Sequence, residues 1–117
     1  MDFKQIMDNI KKENGEVPKP IELLGKLDEE FVVSHMTDKQ RVHAKKAIPE
    51  KYKALIMLSA AIALDSQACI LNNTKLAKKN GATVEEIMEV FALAKFSKGA
   101  TVISSSAAAF EWLNSNK

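Results

Sequence analysis

The chain contains almost none of the residue types that mark secreted or metal-dependent proteins. Its 117 residues include a single cysteine, so no disulfide can form within one chain, and a free thiol suits a reducing compartment. We find neither a charged and then apolar leader nor a run of eighteen apolar residues. We therefore expect a soluble, cytoplasmic protein without a membrane partner.

Arginine is also nearly absent. Seventeen basic residues stand against fifteen acidic ones, and all the basic residues except Arg41 are lysine. A net charge of +2 gives little long-range attraction for a polyanion. Arginine is the side chain that reads guanine edges and clamps phosphates with two hydrogen bonds. We therefore expect no nucleic-acid partner.

Histidine is scarce as well. His35 and His43 lie eight residues apart, and together with Cys69 they give no spacing that resembles a zinc motif. We therefore expect no metal and no other cofactor. Either imidazole would serve as a base only if the fold brings it to Cys69.

Apolar residues at helical spacing are abundant, whereas no stretch alternates with a period of two. A chain of this length can bury a core without disulfides or metal. We predict an all-α protein of about six helices, with one domain over residues 1–117. Residues 1–17 are expected to form an N-terminal helix and a connector.

Local signals place the boundaries in the first half of the chain. The first helix is predicted to stop at Asn14-Gly15, and Pro18 and Pro20 predict an extended connector. A short helical turn is expected over residues 21–27. Asp28 then caps a helix that fades in the lysine-rich segment 39–46.

The second half begins with the clearest core helix. Pro49 is predicted in its first turn, and it is apolar on almost every side up to Leu64. The next helix, capped by Ser66 or Asp65, stops at Asn80-Gly81.

A further helix is predicted to start at a T-x-x-E capping box formed by Thr83 and Glu86. Gly99 is expected to interrupt the chain before the last helix.

The only thiol follows the polar break Asp65-Ser66-Gln67-Ala68. A thiolate in the first turn of a helix is stabilised by unpaired backbone N–H groups and by the positive helix end. Cys69 is therefore a candidate nucleophile, but cysteine is also among the most buried residue types and can simply fill a core. Ser66 can hydrogen-bond the sulfur, although capping the helix is the commoner role of a serine there. Asp65 adds a negative charge that works against the thiolate unless it points into solvent.

Three features together resemble a known family. They are the apolar helix, the polar break carrying cysteine, and the Gly-Ala-Thr-x-Glu-Glu-Ile-x-Glu run of residues 81–89. They are similar to the carboxymuconolactone decarboxylase family, which includes the alkylhydroperoxidase-D-like proteins, over roughly residues 18–113.

Redox members of that family carry C-x-x-C, a histidine four residues later and a glutamate one helix earlier. Here Cys69 matches the second cysteine, while Ser66 replaces the first and Asn73 replaces the histidine. The glutamate position falls near Ala54. A disulfide cycle within one chain is therefore impossible, and an oxidised Cys69 would need an outside thiol.

The resemblance implies an alkylhydroperoxidase-D-like helical fold in which hairpins from several chains form a homo-oligomer, either a trimer or a hexamer. It implies a thiol-dependent oxidoreductase of the peroxidase or peroxiredoxin type, an antioxidant activity, with a degenerate S-x-x-C site. Cys69 would be catalytic, with Ser66 and Asn73 as its polar neighbours. Its partners would be a small-molecule substrate and an external thiol reductant.

Two alternatives stay open. One is a non-redox, decarboxylase-like enzyme acting on a small lactone acid, which would not need Cys69. The other is a non-catalytic oligomeric protein that binds a small molecule or serves as a scaffold.

Overall fold

Seven α-helices and no strands make up the protein, as the computed structural model shows over residues 1–117. The helices are α1 (Phe3–Asn14), α2 (Lys19–Leu27), α3 (Glu29–His43), α4 (Glu50–Ala63), α5 (Gln67–Lys79), α6 (Val84–Ser104) and α7 (Ala107–Ser115). The predicted all-α class is confirmed, and the turn expected over residues 21–27 is a full helix. None of the seven is both long and apolar enough to cross a membrane.

Residues 1–47 form the first of two compact units. Helices α1 and α2 both pack against α3, around a core of Ile6, Ile10 and Val32. Helix α1 ends as predicted, because Gly15 adopts a left-handed φ of 81° that a glycine takes without strain. Asp28 caps α3 by accepting a hydrogen bond from the backbone N–H of Phe31, also as predicted.

The prolines lie in different places from those predicted. Pro18 is the N-cap of α2 and Pro20 lies inside its first turn, so the extended connector is shorter than expected. A proline is tolerated there because the first N–H groups of a helix have no partner within it. Pro49 is likewise the N-cap of α4 and does not lie in its first turn.

Helix α3 ends inside the lysine-rich segment 39–46, as predicted. Helix α3 continues to His43, and an ion pair of 2.6 Å between Arg41 and Asp38 lies along its last turns. Such pairs on one helix face add a few tenths of a kcal/mol, about enough to extend a fraying end.

Residues 48–117 form the second unit, in which α4 packs against both α5 and α6. Four small or medium apolar side chains surround the fully buried Leu58: Ala54, Ala77, Ala82 and Ile87. Alanine at the contacts lets the helix axes approach closely. The prediction that α4 is central is therefore confirmed for this unit, although Ile56 on its outer face is half exposed.

Two ion pairs fix the direction of α6 along α4. Lys51 Nζ lies 2.8 Å from a carboxylate oxygen of Glu86, where both helices begin. Lys98 Nζ lies 2.5 Å from a carboxylate oxygen of Asp65, just after α4 ends. The two helices are therefore parallel, and α6 continues past the α4–α5 turn over residues 99–104, roughly 9 Å at 1.5 Å per residue.

The predicted interruption at Gly99 is wrong, because α6 runs through it and breaks only at Ser105 and Ser106. A Cβ atom at Gly99 would meet nothing within 4 Å, so no close contact demands a glycine there. A glycine inside a helix costs about 1 kcal/mol relative to alanine. This penalty is too small to stop a helix that is capped firmly at its start.

Candidate active site

The α4–α5 turn places the three predicted site residues at the start of α5. Asp65 has a left-handed φ of 57°, a conformation that aspartate tolerates better than most residues. The turn is closed by a hydrogen bond of 3.0 Å from the Ser66 N–H to the Ala61 carbonyl. Ser66 is thereby set as the N-cap of α5.

Ser66 caps this helix by position only. Its carbonyl accepts the N–H of Ile70 at 2.8 Å, but its side chain makes no capping hydrogen bond. The interpretation of Ser66 as an ordinary side-chain cap is therefore wrong. Its half-buried hydroxyl is not used for capping, so it is available to a neighbouring group or to a ligand.

Cys69 lies in the first turn of α5 and is exposed. The alternative in which Cys69 fills the core is therefore wrong. A thiol at this place is accessible from solvent, and the first N–H groups of the helix have no partner within it.

Asn73 is the buried polar residue of the chain, with only 8 % of its surface exposed. The intervals from Ser66 to Cys69 and from Cys69 to Asn73 are three and four residues, so all three lie on one face of α5. This face leads from a half-buried hydroxyl, past an exposed thiol, to a buried amide. These three residues therefore follow one another along one face of the helix.

The position that corresponds to the family's relay glutamate carries no group that can transfer a proton. Ala54 is fully buried in the core cluster of the second unit, in contact with apolar neighbours. A methyl group there can neither donate nor accept a proton. Ala54 therefore supplies no acid or base to the turn that carries Cys69.

The charge of Asp65 is balanced by a residue that sequence reasoning missed. The carboxylate is exposed and pairs with Lys98, which comes 33 positions later in the chain. The expected unfavourable charge near Cys69 is thus largely neutralised. No local pattern signals this pair, because it depends on the register between α6 and the α4–α5 turn.

The other ion pair between α6 and α4 lies where α4 begins, a full helix length from Cys69. A hydrogen bond from Lys51, followed by one from the backbone N–H of Thr83, lowers the pKa of Glu86. The same contact with Glu86 raises the pKa of Lys51, whose ammonium also lies 5.5 Å from the ring centre of Tyr52.

His35 and His43 both lie on α3, in the first unit. No group of three or more histidine, cysteine or acidic side chains is arranged to bind a metal ion.

The fold and the site define a helical protein with an accessible thiol at the start of the second helix of a hairpin. The model of the carboxymuconolactone decarboxylase family matches residues 35–112, two thirds of the chain, and the chain belongs to this family. The predicted resemblance is confirmed. No curated protein shows a significant match to the sequence.

Proposed function

We propose that this member of the carboxymuconolactone decarboxylase family is a thiol-dependent oxidoreductase of the peroxidase type, with Cys69 as its only redox cysteine. The observation that carries the proposal is the exposure of Cys69 in the first turn of α5. A structural cysteine is typically buried and inert, whereas a working thiol needs access and a helix start.

The proposed reaction uses one peroxide and two molecules of an external thiol. The Cys69 thiolate attacks one peroxide oxygen, the O–O bond breaks, and the departing alkoxide takes a proton and leaves as an alcohol. The resulting sulfenic acid condenses with the first external thiol, forming a mixed disulfide and releasing water. The second external thiol attacks that disulfide, leaves as the oxidised dimer and returns Cys69 to its thiol form.

The external thiol is necessary because Ser66 occupies the place of a resolving cysteine. The Ser66 hydroxyl lies one turn before Cys69 and can donate a hydrogen bond to the sulfenate or to the departing oxygen. The Asn73 amide can only hydrogen-bond, since it neither gains nor loses a proton near neutral pH. With Ala54 in the relay position, we expect turnover well below that of a complete relay.

The test is peroxide consumption in the presence and absence of dithiothreitol. We expect slow, thiol-dependent consumption that Cys69→Ala abolishes. We also expect a sulfenic acid on Cys69, visible by mass spectrometry after dimedone trapping. The double variant Ser66→Cys, Asn73→His should consume peroxide faster and react faster with iodoacetamide, because it restores two members of the family's site.

A matched control separates the effect of the helix start from that of mere exposure. Lys79→Cys, made in a Cys69→Ala background, places an exposed thiol at the other end of the same helix. Stabilisation at a helix end is worth about 0.3 to 1 kcal/mol, so Cys69 should be alkylated roughly two to five times faster than the control thiol. Equal alkylation rates and a parent protein inert to peroxide would contradict the proposal. They would favour a decarboxylase-like or a purely binding role.

A further inference from the structure

The start of α5 has two residues that commonly cap helices, and neither caps it. Ser66 makes no side-chain hydrogen bond to the helix, and the Asp65 carboxylate is bound by Lys98 at 2.5 Å. The first three N–H groups of the helix donate no hydrogen bond: those of Gln67, Ala68 and Cys69. The helix start is thus left open, although two acceptors stand beside it.

Elsewhere in the chain, aspartates at helix starts do act as caps. Asp2 accepts the N–H of Gln5 at 2.8 Å, and Asp28 accepts the N–H of Phe31 at 3.0 Å. Asp65 stands one residue further from its helix, but an aspartate side chain also reaches the backbone N–H two residues on. Lys98 and the N–H groups of α5 are therefore alternative partners for one carboxylate.

The ion pair itself adds little to the free energy of unfolding. The Asp65 side chain is 80 % exposed, and that of Lys98 is also in contact with solvent. Exposed ion pairs are weak because water and salt screen them and because both side chains lose freedom. The main consequence of the pair is the position of the carboxylate, which is held toward α6 and away from the start of α5.

Asp65 is also the only acidic residue near this end of the unit. Residues 54–74 contain no other charge, and residues 90–110 contain only Lys95 and Lys98. Helices α4 and α6 both pack against α5, and the acidic residues of these two helices lie in their first turns, at the opposite end. The electrostatic surroundings of Cys69 therefore depend on one carboxylate and on the group that holds it.

A buried amide on the same face of α5 is likewise without a partner. Asn73 exposes only 8 % of its surface, yet its side chain makes no hydrogen bond with the protein. No enclosed polar atom of the chain lacks a partner, so both amide atoms of Asn73 reach an opening. Side chains of a helix lean toward its start, which places this amide over the turn that carries Cys69. Free donors at such a place can stabilise a thiolate or an oxygen that leaves it.

We propose that Lys98 is a positioning residue of the candidate site: by binding the Asp65 carboxylate, it prevents Asp65 from capping α5 and leaves the first N–H groups free for the Cys69 thiolate. The inference deepens the proposed function, since it rests on Cys69 being the working thiol. Lys98 acts only through Asp65. Without Lys98, the carboxylate turns to the N–H groups of α5, and its charge then opposes that of the thiolate.

The rate at which iodoacetamide alkylates Cys69 tests the inference without peroxide. Lys98→Met removes the charge and keeps the length of the side chain. It should slow alkylation at neutral pH roughly two- to fivefold, as expected when stabilisation by a helix start is lost. At about pH 9.5, where most thiols are ionised, the rates of variant and parent should converge. Lys98→Arg should keep the parent rate, whereas a merely structural effect would change the rate at every pH.

Lys95→Met is the matched control. Lys95 is an exposed lysine one turn earlier in α6, and it belongs to none of the ion pairs. The substitution removes the same charge from the same helix but leaves Asp65 bound to Lys98. Alkylation of Cys69 should therefore change much less than in Lys98→Met.

A second comparison removes the carboxylate. Glycine adopts the left-handed φ of residue 65 without strain, so Asp65→Gly should keep the turn. In this background, Lys98→Met should no longer slow alkylation, because no carboxylate remains to cap α5. A direct effect of the lysine charge on the thiol would instead slow alkylation equally with and without Asp65.

Amide hydrogen exchange, followed by NMR, reports the capping itself. In Lys98→Met, the N–H of Gln67 or Ala68 should exchange more slowly than in the parent, since the carboxylate binds it. Unchanged exchange would overturn the inference, as would equal slowing of alkylation by Lys95→Met or slowing that persists in the Asp65→Gly background. A parent that is inert to peroxide would contradict the proposed function alone, because none of these measurements involves peroxide.

Discussion

The two ends of the second unit are built differently. At the end where α4 and α6 begin, Thr83 and Glu86 form a complete capping box, and Glu86 also pairs with Lys51 at 2.8 Å. At the other end, Ser66 makes no side-chain cap, Asp65 holds a left-handed conformation, and α6 continues past its neighbours.

The two ends therefore differ in how completely they are capped and packed. The first end caps the start of α6 and buries Ala82 and Ile87, so it anchors the three-helix packing. The second end keeps an unused hydroxyl, an accessible thiol and uncovered apolar side chains. The left-handed Asp65 and the start of α5, which lacks a side-chain cap, both lie within four residues of Cys69.

The largest expected contrast compares two isoleucines of α6. Ile87 is buried in the core cluster, and Ile87→Ala should lower the free energy of unfolding by about 2 to 5 kcal/mol. Ile103 is 70 % exposed, and Ile103→Ala should change the stability of the dissociated chain by no more than about 0.5 kcal/mol. Urea unfolding at several protein concentrations measures both.

Urea unfolding at several protein concentrations also sharpens the comparison between Ile87 and Ile103. The loss for Ile87→Ala should be the same at every concentration, whereas any loss for Ile103→Ala should grow with concentration if copies of the chain associate through the exposed end of α6. Equal losses of unfolding free energy for the two variants at high dilution would show that the two ends of the unit are packed alike.

A smaller contrast is expected between the two helix caps. Thr83→Ala removes the acceptor for the Glu86 N–H at 3.0 Å and should cost roughly 1 kcal/mol. Ser66→Ala removes no capping bond, so its cost should stay within about 0.5 kcal/mol. Thermal unfolding of both variants beside the parent provides the measurement, and a cost for Ser66→Ala as large as that for Thr83→Ala would contradict the described cap.

The pH dependence of stability should come partly from the anchored end. The pKa of Glu86 lies below its ordinary value of 4.5 in the folded chain, chiefly through the hydrogen bond from Lys51. Its carboxylate therefore stabilises the fold above that pH, and this contribution is lost as pH falls through the lowered value. The pKa of Lys51 lies above its ordinary 10.5, so its contribution holds below that pH and is lost at more alkaline pH.

Glu86→Gln should therefore weaken the loss of stability on acidification below about pH 5, as followed by urea unfolding at a series of pH values. Lys51→Met should weaken it as well, and the double variant should add less than the sum of the two, since both remove one interaction. Strictly additive effects would show that the two side chains act independently.

The sequence predicted most of the helix boundaries because their signals are local. Asn14-Gly15, Asp28, and Thr83 with Glu86 each act on backbone groups within four residues, and each ends or starts a helix as expected. Pro20 and Gly99 were misinterpreted because both residues are only biased against helix, and a helix start or a long capped helix tolerates them.

In the candidate site, too, some features depend on near neighbours in the chain and others on distant residues. The spacing of Ser66, Cys69 and Asn73 placed them on one helix face, since that depends only on helical periodicity. Whether Cys69 is open or buried depends on which distant side chains pack over it. Lys98, which neutralises Asp65, likewise reaches the turn only through the register of α6 against α4.

The sequence by itself determined the helical class, the family, the capped start of α6 and the position of the thiol in the first turn of a helix. These follow from periodicity and from hydrogen bonds between near neighbours in the chain. Only the tertiary structure decided that Cys69 is exposed, that Asn73 is buried and that no residue of α7 is buried. Burial is a property of contacts between residues far apart in sequence, and no local pattern records which of them meet.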